Sequence, residues 1–333
     1  MTAPRHDVLC IGNAIVDVIA RAEEDFLAAE SLIKGSMMLV DTDRAEYLYS
    51  KMGAAIESSG GSAGNTAAGI GSFGGKVAYF GKVAADHLGK IFSHDIRAVG
   101  VDFATAPLEG GAPTARCMIV VTPDGERTMS TYLGACVALS PADIDADVVA
   151  GAAITYMEGY LWDPPAAKEA FRQAAKIAHG AGRKVAITLS DSFCVDRYRD
   201  EFLELMRSGQ VDIVFANETE LHALYQTADF DTAIAALRAD VGIGFVTLGS
   251  KGAMVVAGDE TVEVPVRPVE RVVDTTGAGD LFAAGALFGL ARGLDYETCC
   301  ELGGLAAGEI ISHVGARPDV KLIDLARERG FEI

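Results

Sequence analysis

Val272–Ala284 reads VVDTTGAGDLFAA: an apolar pair, a turn of small residues and the start of a long apolar helix meet there around Asp274 and Asp280. The glycines of Thr276-Gly277-Ala278-Gly279 let the backbone turn tightly and bring bare N–H groups close to a ligand. Asp280 falls in the first turn of the helix that continues as LFAAGALFGLARG. A helix N-terminus with unsatisfied amides is an anion site. With a phosphoryl group on the amides of Gly277, Ala278 and Gly279, Asp280 is placed to take the proton of an attacking hydroxyl. The amides then neutralise charge building on the transferred group. The plainer reading makes Asp280 an ordinary helix-start acid behind a glycine turn.

Working outward, the run GGSAGNTAAGIGSFGG at Gly60–Gly75 satisfies two unrelated patterns. Gly69–Gly74 fits the dinucleotide GxGxxG, but these glycines end a helix and precede a strand, the reverse of what that fingerprint needs. Gly60–Gly64 fits the GxSxG nucleophile elbow and makes a serine hydrolase using Ser62 the alternative of a different class. Against it, the preceding AAIESS is too polar for the buried strand of such a fold, and no HGGG-type loop occurs. No GxxxxGK[ST] is present, so a P-loop nucleotidase is not supported.

DTTGAGD and GGSAGN, in that spatial relation along the chain, resemble the two signatures of the ribokinase-like, PfkB carbohydrate kinase family. The resemblance runs from Asp7 to about Pro318. It implies one ribokinase-like domain over residues 1–333: an α/β fold, three-layer and doubly wound on a mostly parallel sheet, with a small β lid from about residues 14–45 and 112–133. It also implies an ATP-dependent, Mg²⁺-assisted kinase that phosphorylates a hydroxymethyl group of a ribonucleoside or sugar. Strands alternating with helices from Val77 onward, as in KVAYFGKVA, ITYMEGYL, KVAITLSD and VDIVFANETE, agree with such a sheet, whose ligands bind at the strands' carboxyl ends.

The family motifs assign roles residue by residue. Asp17 of GNAIVD contacts acceptor hydroxyls with Asn13 beside it; the plainer reading of Asp17 is an exposed strand residue alternating with Val16 and Val18. Gly61 lets the acceptor lie against backbone, and Asn65 hydrogen-bonds its hydroxyls. Asn217 and Glu220 of NETE organise Mg²⁺ and its waters, a style that suits this ion; as N-cap and N3 they also make a capping box. Thr247, Gly249 and Gly252 of TLGSKG cradle the nucleotide, with Thr276. The small-residue helix Leu302–Arg317 closes a wall of the adenine pocket. Asp274, Thr276 and Gly315 match a K⁺ site of ribokinases. The turn Pro123-Asp124-Gly125 joins TARCMIVVT to ERTMSTYL as a hairpin. Arg116 on it is either a phosphate clamp or an exposed edge arginine. Tyr160 and Phe193 follow strand ends where adenosine kinases place residues around the base; packing is the other reading. GNAIVD, SMMLVD and NETE look like the adenosine kinase branch, whereas Thr276 stands where those enzymes commonly carry Asn. Fructose or ribose therefore stays beside a nucleoside as acceptor.

Composition sets the remaining expectations. With 333 residues and 50% hydrophobic content the chain can bury a large core. A formal net charge of −19 argues against nucleic acid or an anionic membrane as partner. The six cysteines show no CxxC spacing and read as reduced, and the six histidines lack ligand spacing. The N-terminus lacks a signal-peptide pattern, so the expected location is cytoplasmic, as a monomer or homodimer.

Overall fold

The first strand, β1 (His6–Ile11), sends Val8 and Cys10 to one side and Leu9 and Ile11 to the other, and all four are fully buried. A strand apolar on both faces has to be covered on both, which forces a three-layer arrangement. The computed structural model describes residues 3–333. The other strands, in chain order, are β2 (Ile15–Arg21), β3 (Met37–Leu39), β4 (Ala55–Ser59), β5 (Val77–Phe80), β6 (Val101–Asp102), β7 (Ala115–Val121), β8 (Arg127–Tyr132), β9 (Ala152–Glu158), β10 (Lys184–Thr188), β11 (Ile213–Asn217), β12 (Ile243–Thr247), β13 (Ala253–Ala257) and β14 (Glu260–Val264).

Nine of them form one sheet in the order β14-β13-β12-β11-β10-β9-β1-β5-β6, parallel from β12 to β6, with β13 and β14 added antiparallel. One face is packed by helices Ser62–Ser72, His87–Ala98, Ala278–Ala291 and Tyr296–Ile310, the other by Pro165–Gly180, Ser192–Arg207, Glu218–Tyr225 and Phe230–Asp240. Helix Ala278–Ala291 is apolar all round because it lies inside this packing, with Leu281, Phe282, Leu287 and Phe288 each at most 4% exposed. Burying such a side chain contributes roughly 1.5–3 kcal/mol.

The small residues have packing reasons. A Cβ at Gly69 would stand 2.6 Å from the Cβ of Ala284, and one at Gly285 would stand 2.5 Å from the backbone of Leu302. The glycines therefore let three helices approach closely. The helix expected over Leu302–Arg317 starts earlier and runs Tyr296–Ile310, and this close packing accounts for its small residues.

The lid is a five-stranded sheet in the order β3-β8-β7-β2-β4. The hairpin is β7–β8, antiparallel, as its turn implies. The polar AIESS segment is also a strand, β4, on the lid's edge, with Ile56 70% exposed. Edge position explains its polarity. Helix Thr42–Lys51, capped by Asp41 accepting from Arg44 N, packs on the lid's outer face over Met118 and Tyr132.

β4 passes into helix Ser62–Ser72 through Gly61, whose φ is +82°, and a Cβ there would lie 2.2 Å from the carbonyl oxygen of Asn13. Gly61→Ala is expected to destabilise the protein by roughly 1–3 kcal/mol from backbone strain alone, before any clash. A lowered urea midpoint at unchanged slope checks it.

Candidate active site

Five parallel strands end in a cavity of about 910 Å³ beneath the lid, lined by Asn13 after β1, Glu158 of β9, Thr188 of β10, Asn217 of β11 and Thr247 of β12. The carboxyl ends of such strands are where α/β sheets bind ligands. The lid supplies the roof. Ile15 and Asp17 on β2, Cys117 and Ile119 on β7, Met129 and Thr131 on β8, and Met37 and Leu39 on β3 face inward, each strand by its alternate residues.

Asp280 sits in the first turn of helix Ala278–Ala291, whose N-cap Gly277 has φ +79° and no side chain to satisfy the first amides. The space a side chain at Gly279 would fill is open. Asp280 Oδ1 accepts from Ser62 Oγ at 2.6 Å and Oδ2 from Asn65 Nδ2 at 2.9 Å. Thr66 Oγ1 donates to the Asp280 carbonyl at 3.1 Å. The helix beginning SAGN thus grips Asp280 by three side chains. Burial raises the Asp280 carboxyl above its ordinary value, while the hydrogen bonds from Ser62 and Asn65 and the charge of Arg317 oppose it. Ser62, the residue a hydrolase reading would make nucleophilic, donates to this carboxylate instead. Among the described residues no histidine lines the cavity to activate it.

Asp17 opens onto the same cavity. Burial pushes its carboxyl up to about 6 against the pull of Arg317 and Arg127, and Asp280 adds to the rise. Asn13 Nδ2 donates to Glu158 Oε1 at 2.7 Å. Glu158 is 1% exposed, and burial pushes its carboxyl up to about 7 against hydrogen bonds from Ala63 and Asn13. Sequence reading passed over Glu158; its signal was an acid closing an otherwise apolar strand, ITYME.

Arg317 lies behind these acids. Its Nε donates to the Ser59 carbonyl at 3.0 Å and Nη2 to Ser59 Oγ at 3.1 Å, and Nη1 donates to the Gly64 carbonyl. It ties the base of the lid to helix Ser62–Ser72. Burial lowers its guanidinium to about 10, opposed by Asp17 and by other nearby groups including Asp280.

The structure turns Arg116 away from the cavity. Strand alternation puts it with Met118 on the lid's outer face, where Nη2 meets Glu46 Oε1 at 3.1 Å and the guanidinium lies 5.6 Å from the Tyr49 ring centroid. Arg127, on the same face of β8 as Met129 and Thr131, is the hairpin arginine that points inward. Its Nη2 lies 2.6 Å from Asp274 Oδ2, and its Nη1 donates to Thr276 Oγ1 at 3.4 Å.

Asp274 also accepts from Thr276 N at 3.0 Å and Gly315 N at 3.1 Å, so those three residues do meet. What converges on the carboxylate is two amides and a guanidinium.

Asn217 caps helix Glu218–Tyr225. Its Oδ1 accepts from Glu220 N at 2.8 Å, while Glu220 accepts from Asn217 Nδ2 at 2.6 Å and Asn217 N at 3.0 Å. NETE is therefore a capping box whose acid is inside the cavity. Burial pushes the Glu220 carboxyl up to about 7, opposed by the Asn217 amide, and Asp191 adds to the rise. Among the described residues no three His, Cys, Asp or Glu side chains gather as a metal cage. A lone carboxylate whose oxygens already accept two hydrogen bonds fits Mg²⁺ held mainly by phosphate oxygens and water.

Thr247 lines the cavity, whereas Gly249 (φ +58°) and Gly252 (φ +111°) form the turn between β12 and β13 outside its lining. Tyr160 and Phe193 both line it. Tyr160 Oη donates to Asp191 Oδ2 at 3.0 Å, and Phe193 is 62% exposed with Arg197 5.0 Å from its ring centroid. The helix Tyr296–Ile310 is not part of the lining.

Residues 5–322 match the family model described as pfkB family carbohydrate kinase. The crystal structure of adenosine kinase from Sinorhizobium meliloti is similar, at 61% identity and a TM-score of 0.93 over 98% of this chain and 100% of that one. A probable sugar kinase from Rhizobium etli CFN 42 is 57% identical with a TM-score of 0.93, covering 98% of this chain and 99% of that one. Yeast (Saccharomyces cerevisiae) adenosine kinase is 29% identical over 95% of this chain and 96% of its own length. With motifs, topology and cavity in agreement, this chain is a kinase that belongs to the pfkB family of carbohydrate kinases.

Proposed function

We propose that this kinase transfers the γ-phosphoryl group of ATP to the hydroxymethyl group of a ribonucleoside of the adenosine type, with Asp280 as the base. The observation that carries the chemistry is the Asp280 carboxylate, held through both oxygens by Ser62 and Asn65 and standing in the first turn behind the amides of Gly277 and Gly279, which no side chain caps. The acceptor lies against Asn13, Asp17 and Gly61. Its hydroxyl proton passes to an Asp280 oxygen as the hydroxyl oxygen attacks the γ-phosphorus. The bond from that phosphorus to the β,γ-bridging oxygen breaks, and ADP leaves with the electron pair. Arg127 and the Gly277–Gly279 amides offset the charge on the transferred group. Thr247 and Thr276 face the nucleotide, with Gly249 and Gly252 shaping the turn behind it. Asn217 and Glu220 would hold Mg²⁺ through water, and the ion would screen the phosphates during transfer.

A nucleoside is favoured over a free sugar by the apolar lid. Met37 and Leu39 are 41% and 48% exposed and face the cavity with Ile119 and Met129, opposite Phe193. A planar base would cover them, whereas a sugar hydroxylated all round would leave them bare. The sugar reading rests on Thr276, which stands where adenosine kinases commonly carry Asn, and on Asn13 and Asp17, which suit any vicinal diol. Coupled ADP release with ATP and Mg²⁺ against adenosine, inosine, ribose, fructose and 2-keto-3-deoxygluconate decides between them. Signal with a nucleoside alone is expected; signal with a free sugar alone would overturn the base-binding role of the lid, Tyr160 and Phe193.

Asp17 adds a pH dependence. Its carboxyl is raised to about 6, so the ionised form that accepts two hydroxyl hydrogen bonds dominates above that pH and is lost below it. Acceptor kcat/KM is expected to be falling already near pH 7, where Glu158 begins to take up a proton, and to drop further through about 6 as Asp17 does. A profile flat from about pH 5 to 8 would remove Asp17 from acceptor binding.

A further inference from the structure

Two helices present glycine-capped N-termini to the cavity, Gly277 before Ala278–Ala291 and Gly61 before Ser62–Ser72, and neither glycine supplies a side-chain cap. They differ in what stands before them. At the first, no side chain among the described residues accepts from the amides of Gly277, Gly279 or Asp280. At the second, Glu158 Oε2 accepts from Ala63 N at 2.9 Å.

Glu158 closes β9, beside β1 in the sheet, and its remaining contacts reach the residue that follows that strand. Oε2 also accepts from Asn13 N at 3.2 Å and Oε1 from Asn13 Nδ2 at 2.7 Å. The chain makes room for it, since a Cβ at Gly12 would stand 2.3 Å from Oε2. No Lys or Arg pairs with it among the described residues, so only amides and a helix terminus offset the cost of burying its charge. Every donor it engages belongs to the acceptor side: Asn13 itself, and the turn from which Ser62 and Asn65 hold Asp280.

We propose that Glu158 is a positioning residue for the acceptor, locking Asn13 to the first turn of helix Ser62–Ser72 so that Ser62 and Asn65 present the Asp280 carboxylate to the acceptor hydroxyl. By filling the second helix terminus with the chain's own carboxylate, it also leaves the Gly277–Gly279 amides as the place for the phosphoryl group. This rests on the reading of Asp280 as base and Asn13 as acceptor contact.

The test is steady-state kinetics of Glu158→Gln with each substrate varied in turn, at pH 8, above the value near 7 to which burial pushes this carboxyl. One amide oxygen cannot serve the three N–H groups of Asn13 and Ala63, and the amide NH₂ opposes Asn13 Nδ2. The acceptor KM is therefore expected to rise at least about tenfold, with kcat lower, while the KM for ATP stays within about twofold. The double variant Asn13→Asp/Glu158→Gln reverses the polarity of the side-chain hydrogen bond and restores one negative charge. It is expected to recover a substantial part of the acceptor KM.

A merely structural role would lower the melting temperature and leave both KM values unchanged or raise them together, and either pattern overturns the proposal. Should Glu158→Gln fail to fold, Glu158→Asp, which withdraws the carboxylate by one methylene, must show the same split. Wild-type protein that transfers phosphate to no acceptor sinks the functional reading. Wild-type turnover with an unsplit variant sinks only the role of Glu158.

Discussion

Asp280→Asn is expected to lower kcat by roughly 10²–10⁴-fold while ATP affinity stays within about twofold of the wild type. The substitution is nearly isosteric, so the turn Gly277–Gly279 keeps its amides and the nucleotide keeps its cradle. What is lost is the acceptor of the hydroxyl proton. The substituted amide can keep both partners, its oxygen accepting from Asn65 Nδ2 and its NH₂ donating to Ser62 Oγ, since a hydroxyl accepts as well as donates. The side chain therefore keeps its orientation and loses its basicity. Coupled ADP release measures kcat, and calorimetry with a non-hydrolysable nucleotide measures binding. Residual turnover above about a tenth of wild type would make Asp280 an orienting group and not the base.

How much of this site was legible in the sequence depends on the range over which each signal acts. DTTGAGD announces a turn and a helix start within a few residues, because glycine's backbone freedom and the position of Asp280 are local properties. The same holds for the Asn217–Glu220 capping box and for β1, whose apolar run needs two covered faces. Strand parity separates the hairpin arginines into inner and outer only once the strand pairing is known. Arg116 and Arg127 flank one hairpin turn, and counting alternate residues from Asp17, through its register partner Cys117, puts Arg116 on the outer face. Counting on from Cys117 through its partner Thr131 puts Arg127 inside.

Partners far apart in the chain were not legible. Ser62 and Asp280 are 218 residues apart, and Glu158 and Asn13 are 145 apart. Nothing local marks a serine as the holder of a distant carboxylate, so GGSAG could also be matched to a nucleophile elbow, against which only its flanking sequence spoke. The small residues of helix Tyr296–Ile310 were ambiguous for a related reason, since close packing on Gly285 and a ligand wall demand the same residue sizes.

Arg127→Ala should lose both rate and stability, and the two losses have separable causes. Arg127 and Asp274 form an ion pair in which each side chain is 8% exposed. Removing one partner of such a pair leaves a buried charge uncompensated and typically costs about 3–5 kcal/mol. Asp274 still accepts from the amides of Thr276 and Gly315, so the lower end of that range is expected. Replacing the stranded acid as well, in Arg127→Ala/Asp274→Asn, removes the unpaired charge but keeps an acceptor for only one of those amides, because Thr276 N and Gly315 N donate to different Asp274 oxygens. The double variant is expected to regain part of the unfolding free energy, less the cost of the one amide left without an acceptor.

Its rate should not return with it. If Arg127 leaves Asp274 for the transferred phosphoryl group when the lid closes, kcat falls roughly 10²–10³-fold in both variants, the scale of losing one charged donor at a developing oxyanion. Arg127→Lys separates charge from shape, because an ammonium lacks the planar fork that reaches two oxygens at once. Intermediate kcat for the lysine variant, with acceptor KM little changed, is the expected pattern. A double variant that recovers rate and stability together would confine Arg127 to bracing the loop before Gly277 and return the burden of charge neutralisation to the amides.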